Sequence, residues 1–354
     1  MFIAYAFLLV EGIARFALLY FASLNYVLYG ELSYIFTLAV LFGSLVSFGS
    51  GQVVLLENHK EDFCLTVLLY LTIIAIVFIA IITISTDLDN TEIGFFAFLY
   101  PTLSLLAAGC RRSLNILIRF QKTIFWLCFL GSIFGHNYSK LGMIVFGLTN
   151  FIVYMYFVKN KYSNLSALAR IYTTSLNIKF FISSVSNNAS RFLERTIMLV
   201  ILPSSAVFGQ FQAVRDTCNL PMFLLGPLIG EKILQDKGLK RIFHLVIMVT
   251  FVGLLVQFFF LERLIPQNIS LILIVMICSL LDIGRVLSNV LAEINNLFLL
   301  TWFLKFLIVM SLLIILYFNL NEFDQIFMFL AGMSFCYIAV ISFILRKRKL
   351  NVEN

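Results

Sequence analysis

Long apolar runs alternate with short polar segments along the whole chain, and this pattern predicts a series of membrane-spanning helices. A span needs about 20 apolar residues, because the hydrocarbon core of a bilayer is about 30 Å thick. Runs of this length predict twelve spans, and we expect the first to be retained rather than cleaved as a signal peptide. The predicted spans are 2–24, 32–56, 63–83, 93–110, 124–138, 141–158, 180–202, 207–230, 242–262, 270–292, 296–318 and 325–345.

The composition excludes an ordinary soluble protein. Apolar residues make up 61% of the chain and charged residues 12%, against roughly 45–50% and 25% in soluble globular proteins. A soluble fold could not cover so much apolar side chain with so few charges. The fold class predicted is therefore all-α integral membrane, with about twelve transmembrane helices and little chain outside the bilayer.

The basic residues between the spans predict an orientation. With the N-terminus in the cytoplasm, most Lys and Arg outside the spans fall on the cytoplasmic side, and only Lys140 and Arg263 fall outside. This asymmetry follows the positive-inside rule and puts both termini in the cytoplasm. The formal charge of +7 is then mainly topological, which argues against nucleic acid as a partner. The basic tail, 346–354, is expected to meet anionic membrane lipid.

Two parts of the chain resemble each other at one constant offset. Tyr29-Gly30 aligns with Phe208-Gly209, and Gly51 aligns with Gly230. Six spans separate these segments, which predicts two six-helix halves related by a pseudo-two-fold axis along the membrane normal. The predicted organisation is an N-terminal half at 1–158, a cytoplasmic linker at 159–179, a C-terminal half at 180–345 and the tail at 346–354.

Ten ionisable residues fall inside the predicted spans, where a charge costs about 2.5–3.5 kcal/mol at a helix centre on insertion scales. Because so many charges cannot face lipid, we expect them to line a watery cavity or to pair with one another. They are six cations and four carboxylates: Arg15, Arg191, Arg195, Arg215, Arg285, Lys305, Glu11, Glu194, Asp216 and Asp282.

Two interpretations of these charges stay open. Helical spacing allows local ion pairs that would hold the fold together, namely Glu11 with Arg15, Glu194 with Arg191, and Asp282 with Arg285. Complete pairing would still leave two excess cations, and the planar guanidinium group binds two phosphate oxygens at once. The pattern therefore predicts either structural ion pairs or a cavity that attracts phosphate, in which the four carboxylates are candidates for binding or titrating a coupling ion.

Polar residues extend this cavity prediction. Asn187 and Asn188 lie on one helix face with Arg191, and Asn289 follows Arg285 by about one turn, so we include the three amides as substrate-binding candidates. Arg111, Arg112 and Arg119 follow the fourth predicted span. They could form a cytoplasmic vestibule for a phosphate-bearing lipid or simply set the topology.

The cysteines predict no redox or metal chemistry. All six are scattered singly, without a CxxC motif and without a histidine at metal-ligand spacing. We expect reduced thiols packed in helices, no metal site and no cofactor.

Three segments carry a family resemblance. Tyr29-Gly30-Glu31-Leu32-Ser33-Tyr34, followed by Gly43 and Ser47-Phe48-Gly49, resembles the second-helix signature of the polysaccharide biosynthesis membrane proteins, the O-antigen flippases. Leu193-Glu194-Arg195-Thr196-Ile197-Met198 and Phe208-Gly209-Gln210-Phe211-Gln212-Ala213 resemble an acidic-basic pair and a Gly-aromatic turn of the same family. This family belongs to the superfamily that also holds the multidrug and toxin extrusion transporters.

The resemblance implies a flippase rather than an enzyme. Such a protein moves an undecaprenyl-pyrophosphate-linked oligosaccharide across a bacterial cytoplasmic (inner) membrane by alternating access. The implied partners are this glycan carrier, membrane lipid, and a polysaccharide polymerase with its chain-length regulator; we expect a monomer. Alternatives are a cation-coupled exporter like the multidrug transporters, and a membrane-embedded glycosyltransferase or polymerase using Asp87 and Asp89.

Overall fold

A computed structural model of the chain describes residues 2–47, 116–135, 175–221, 243–295, 297–318 and 320–353, together with scattered positions between 138 and 149. These residues form helices and contain no β-strand. The helices are α1 (Phe2–Ala22), α2 (Tyr26–Ser47), α3 (Ile116–Ser132), α4 (Ser175–Ile201), α5 (Ser205–Thr217), α6 (Phe243–Leu264), α7 (Ile269–Ile294), α8 (Phe298–Phe318) and α9 (Phe323–Glu353).

Four of the described helices are long and apolar enough to cross a bilayer. The apolar stretches are Val246–Leu264 in α6, Ile269–Asn289 in α7, Phe298–Phe318 in α8 and Phe323–Lys347 in α9. With a rise of 1.5 Å per residue, the 21 residues of α8 extend about 32 Å, which matches the hydrocarbon thickness. The four helices indicate a membrane protein of the all-α class.

The outer surfaces of these helices are apolar. Phe259, Leu299 and Tyr317 are 69%, 80% and 83% exposed. Large exposed apolar surfaces are rare on soluble monomers, because water makes their exposure unfavourable. Lipid tails are the solvent that suits such a surface.

Several helix starts have identifiable caps. The Asn25 side chain accepts a hydrogen bond from the backbone N–H of Leu28 at 3.1 Å, and Asn268 accepts one from Leu271 at 3.1 Å. Ser204 caps α5 in the same way by accepting from Val207. Each cap satisfies a backbone donor that has no partner within its helix. Pro203 lies between α4 and α5, where its missing N–H and fixed φ separate the two helices.

Some element boundaries differ from the predicted ones. The cap at Asn25 starts α2 at Tyr26, before the predicted start at 32, and α3 starts at Ile116, before the predicted start at 124. The α3 segment before 124 carries Arg119 and Lys122, whose charges lower its hydropathy below that of a span. At the other end of the chain, α9 passes through the predicted tail to Glu353, because Lys and Arg are good helix formers and no Pro or Gly interrupts them.

Other predictions lie outside the described residues. These are the spans 63–83 and 93–110, most of 141–158, the second half of 207–230, the linker before Ser175, and the candidates Arg111, Arg112, Asp87 and Asp89. The twelve-span count and the repeat therefore stay predictions.

The helix contacts form two units. One contains Met1–Phe21 and Glu31–Phe192, and the other contains Ala22–Gly30 and Leu193–Asn354. We call them the first and second units. In the first, Phe36 packs against the rings of Phe125, Trp126 and Phe129. In the second, α7 and α9 pack along each other, and Phe211 of α5 contacts Phe327 of α9.

Candidate functional site

A group of charges lies inside the first unit. Glu11 of α1 pairs with Arg15 one turn later, as their spacing predicted, and also with Arg119 of α3 at 3.4 Å. The guanidinium of Arg15 lies 4.3 Å from the ring centre of Trp126. Glu11 is 4% and Arg119 7% exposed, so both charges are removed from solvent. Arg119 therefore lies within the helix packing of this unit, and the predicted vestibule stays a prediction.

A larger group lies in the second unit, where α4 meets α5. Arg195 Nη2 of α4 lies 2.7 Å from Asp216 Oδ1 of α5. In the opposite direction, Arg215 Nε of α5 lies 2.7 Å from Glu194 Oε1 of α4. Adjacent residues on each helix thus form two reciprocal ion pairs. This arrangement differs from the local pair of Glu194 with Arg191 that helical spacing allowed, because Glu194 contacts Arg215 of the next helix.

Arg215 extends the group to α7. Its Nη1 lies 2.5 Å from Asp282 Oδ2, while Asp282 Oδ1 lies 3.2 Å from Arg285 Nη2 one turn later. The second of these contacts is the local pair that the i, i+3 spacing predicted. Arg215 and Asp282 are 9% and 7% exposed, so the charges lie in the helix interior.

Two hydroxyl groups complete the carboxylate coordination. The Tyr29 hydroxyl, on the first turn of α2, donates to Asp216 Oδ2 at 2.9 Å. The Ser334 hydroxyl, on α9, donates to Asp282 Oδ1 at 2.9 Å. The two aspartates therefore each accept from one guanidinium or more and from one hydroxyl. Five helices contribute to two sets of contacts, which adjoin because Glu194 precedes Arg195 and Arg215 precedes Asp216 in the chain. We call the two sets together the ion network: Tyr29, Glu194, Arg195, Arg215, Asp216, Asp282, Arg285 and Ser334.

The ion network is electrically balanced. Three arginines face three carboxylates, so its formal charge is zero. Desolvating each ion costs several kcal/mol, and direct contact with an opposite charge offsets this cost. The network consequently holds α4, α5 and α7 in register. The two cations in excess among the ten counted charges, Arg191 and Lys305, are not part of it, so the predicted excess of positive charge stays a prediction.

Glycine allows α2 to approach α5 closely enough for the Tyr29 contact. A Cβ atom added to Gly209 would collide with the backbone carbonyl of Tyr26, and one added to Gly30 would lie 3.0 Å from Gly209 Cα. The two backbones are therefore in direct contact at this crossing. Larger side chains would separate the helices and move the Tyr29 hydroxyl away from Asp216.

The remaining candidates occupy several environments. Arg191 and Asn187 are exposed on α4, and Asn188 is partly buried. Asn289 of α7 accepts a hydrogen bond from the hydroxyl of Tyr337 on α9 at 2.9 Å. Lys305 of α8 is 6% exposed. Of the predicted substrate-binding candidates, the structure thus brings Arg195, Arg215 and Arg285 together.

Sequence reasoning missed the hydroxyl partners. Tyr29 carries part of the repeat and of the resemblance, but it is one of 14 tyrosines, and nothing local marks it as a donor to Asp216. Ser334 is marked even less clearly in the sequence. It is only a small polar residue on the face of α9 that packs against α7. Only the pairing of distant helices reveals these contacts.

Neither a metal centre nor a known relative identifies the site. Among the described residues, no three His, Cys, Asp or Glu side chains are grouped to hold a metal ion. The four described cysteines are free thiols. The chain matches no protein-family model, no curated protein and no solved structure.

Proposed function

We propose that this membrane protein is a flippase that moves an undecaprenyl-pyrophosphate-linked oligosaccharide across a bacterial cytoplasmic membrane by alternating access. The proposal includes the twelve-helix, two-half architecture with both termini in the cytoplasm. It rests on the family resemblance and on the charges buried within apolar helices. Ionisable groups inside membrane helices are costly and are usually functional.

One observation carries the proposal. Residues of the three segments that bear the resemblance come together in the second unit: Gly30 contacts Gly209, while Tyr29 and Arg195 both bind Asp216, which follows the third segment by three residues. Segments distant in sequence that converge on one buried set of charges are what a transport site requires. The same convergence would be incidental if the segments only set the topology.

The arginines are the candidates for holding the pyrophosphate. Arg195, Arg215 and Arg285 each contact a carboxylate in the present arrangement. A phosphate oxygen accepts from guanidinium in the same charge-assisted geometry as a carboxylate oxygen. Substrate binding would thus exchange one acceptor for another at modest cost.

Partner exchange would also link binding to helix movement. When phosphate takes Arg215, Glu194 and Asp282 lose the group that ties α4 and α7 to α5. The helices are then freer to move, which alternating access demands. The released carboxylates could bind a proton or cation and so couple the cycle to an ion gradient. Undiminished transport in vesicles after the proton gradient is collapsed would exclude proton coupling.

Deletion of the gene tests the proposed function in cells. A flippase mutant should lose surface polysaccharide while the complete lipid-linked unit accumulates on the cytoplasmic leaflet. Loss of the lipid-linked unit itself would instead indicate a glycosyltransferase. Restoration by an Asp87→Ala, Asp89→Ala variant would argue further against that enzyme, since it removes the candidate metal-binding pair. Unchanged polysaccharide in the deletion strain would contradict the flippase.

A further inference from the structure

Gln212 of α5 is a fully buried amide without hydrogen bonds. Its side chain is 0% exposed, and neither Nε2 nor Oε1 has a hydrogen-bond partner among the residues that the structure describes. Most buried polar side-chain atoms in proteins have a partner, since an unmatched one retains its desolvation penalty without compensation. The amide therefore lowers the stability of the present arrangement.

Other glutamines show that the situation of Gln212 is particular. Gln121 and Gln257 also carry one unmatched oxygen each, yet Gln121 donates to the carbonyl of Phe146 and Gln257 donates to Thr217. Gln210, two positions before Gln212, donates to the carbonyl of Leu264 at 3.0 Å. Among these four glutamines of the described chain, Gln212 is the one whose amide oxygen and nitrogen both have no hydrogen-bond partner.

The position of Gln212 relates it to the ion network. Residues three and four apart lie on one helix face, so Gln212 shares its face with Arg215 and Asp216 one turn later. Those two charges have carboxylate and guanidinium partners. The arginines of the network are the proposed phosphate contacts, so the uncharged amide of Gln212 suits a neutral hydrogen-bonding group beside them.

We propose that Gln212 is a sugar-recognition residue that binds a hydroxyl or acetamido group of the translocated glycan beside the ion network. This inference rests on the proposed flippase function. A carboxamide offers one acceptor and two N–H donors, which matches an acetamido group or two adjacent hydroxyls. Because the side chain is closed off here, the sugar reaches it in another arrangement of the helices, in which the amide gains the bonds it now lacks.

The proposal predicts opposite effects on stability and on binding. Replacing Gln212 by Met keeps the length of the side chain and removes the unmatched amide. Purified Gln212→Met protein should unfold at the same temperature as the wild type or higher. The matched control, Gln210→Met, breaks the bond to Leu264 and should unfold at a lower temperature.

Binding to the full-length protein in detergent then tests recognition. The probes are undecaprenyl pyrophosphate and the sugar-bearing carrier extracted from cells that make this protein. We expect the wild type to prefer the sugar-bearing carrier. Gln212→Met should lose about tenfold in affinity for that carrier, as for the loss of a hydrogen bond or two, and should bind the bare carrier unchanged. Gln210→Met should keep the wild-type preference.

Three other binding results would contradict either the role of Gln212 or the flippase function. If Gln212→Met keeps the wild-type preference for the sugar-bearing carrier, the inference is overturned. The amide would then serve only to bind a buried water or to fill space in the packing. Equal binding of both carriers by the wild type would also overturn the inference, while the flippase proposal would stand. Failure of the wild type to bind either carrier would instead remove the proposed function.

Discussion

Arg215 Nη1 on α5 lies 2.5 Å from Asp282 Oδ2 on α7, which joins two predicted membrane spans through a buried charge. The same guanidinium also contacts Glu194 of α4 through Nε. One arginine therefore compensates two carboxylates from different helices. This relation makes Arg215 the structural centre of the ion network as well as a candidate for substrate binding.

Replacing Arg215 by Ala should destabilise the protein severely. Removal of one partner of a buried pair costs about 3–5 kcal/mol, because the opposite charge is left uncompensated. Thermal unfolding of the purified variant in detergent measures the effect. Arg285→Ala is the matched control, since Asp282 keeps Arg215 and Ser334 as partners. Equal unfolding temperatures for Arg215→Ala and the wild type would contradict the described network.

Arg195 and Asp216 should show strong energetic coupling. A double-mutant cycle with Arg195→Ala, Asp216→Ala and both together isolates their pairwise term, which we expect within about 0.5–3 kcal/mol. The exposed pair of Gln325 with Glu322 provides a control near zero, because water competes for such groups. A coupling energy no larger than that control would show that the 2.7 Å contact does not persist in the protein.

Gly209→Ala should disrupt the crossing of α2 with α5. The added methyl group would collide with the backbone carbonyl of Tyr26, and such overpacking typically costs about 1–3 kcal/mol. Gly12→Ala in α1 is a suitable control, because its Cβ would meet no atom within 4 Å. Alanine favours a helix over glycine by about 1 kcal/mol, so the control should be neutral or stabilised. A Gly209→Ala protein as stable as the control would contradict the close approach.

Apolar runs predicted the bounds of α7 and α8 well, because apolar residues dominate both helices. The predicted span 296–318 agrees closely with Phe298–Phe318, and 270–292 with Ile269–Ile294. Prediction was poorer for α3, because Arg119 and Lys122 lower the hydropathy of its first turns, and the pairing of Arg119 with Glu11 is a tertiary property. For the site, the sequence identified the charged residues but not all of their partners. Helical spacing alone suggests that Glu194 pairs with Arg191. The structure pairs Glu194 with Arg215 instead, because the packing of α4 against α5 decides the partner.

Arg191→Ala separates transport from stability. Arg191 is exposed on α4, so its truncation should leave the unfolding temperature within a few degrees of the wild type. If it captures the pyrophosphate, loss of a charge-assisted bond should lower the affinity for the carrier by about tenfold or more. Lys347→Ala, at an exposed position of α9, should change neither quantity. Normal surface polysaccharide and normal carrier affinity in Arg191→Ala would remove this residue from the proposed site.

Transport by the purified protein tests the central claim most directly. The protein is reconstituted into vesicles that carry undecaprenyl-pyrophosphate-linked sugars in both leaflets, and a membrane-impermeant reagent modifies the sugars on the outer leaflet. The account predicts that wild-type vesicles expose nearly all sugars to the reagent over time, that Arg191→Ala vesicles do so more slowly, and that protein-free vesicles expose only those already outside. Equal exposure in wild-type and protein-free vesicles would contradict a flippase.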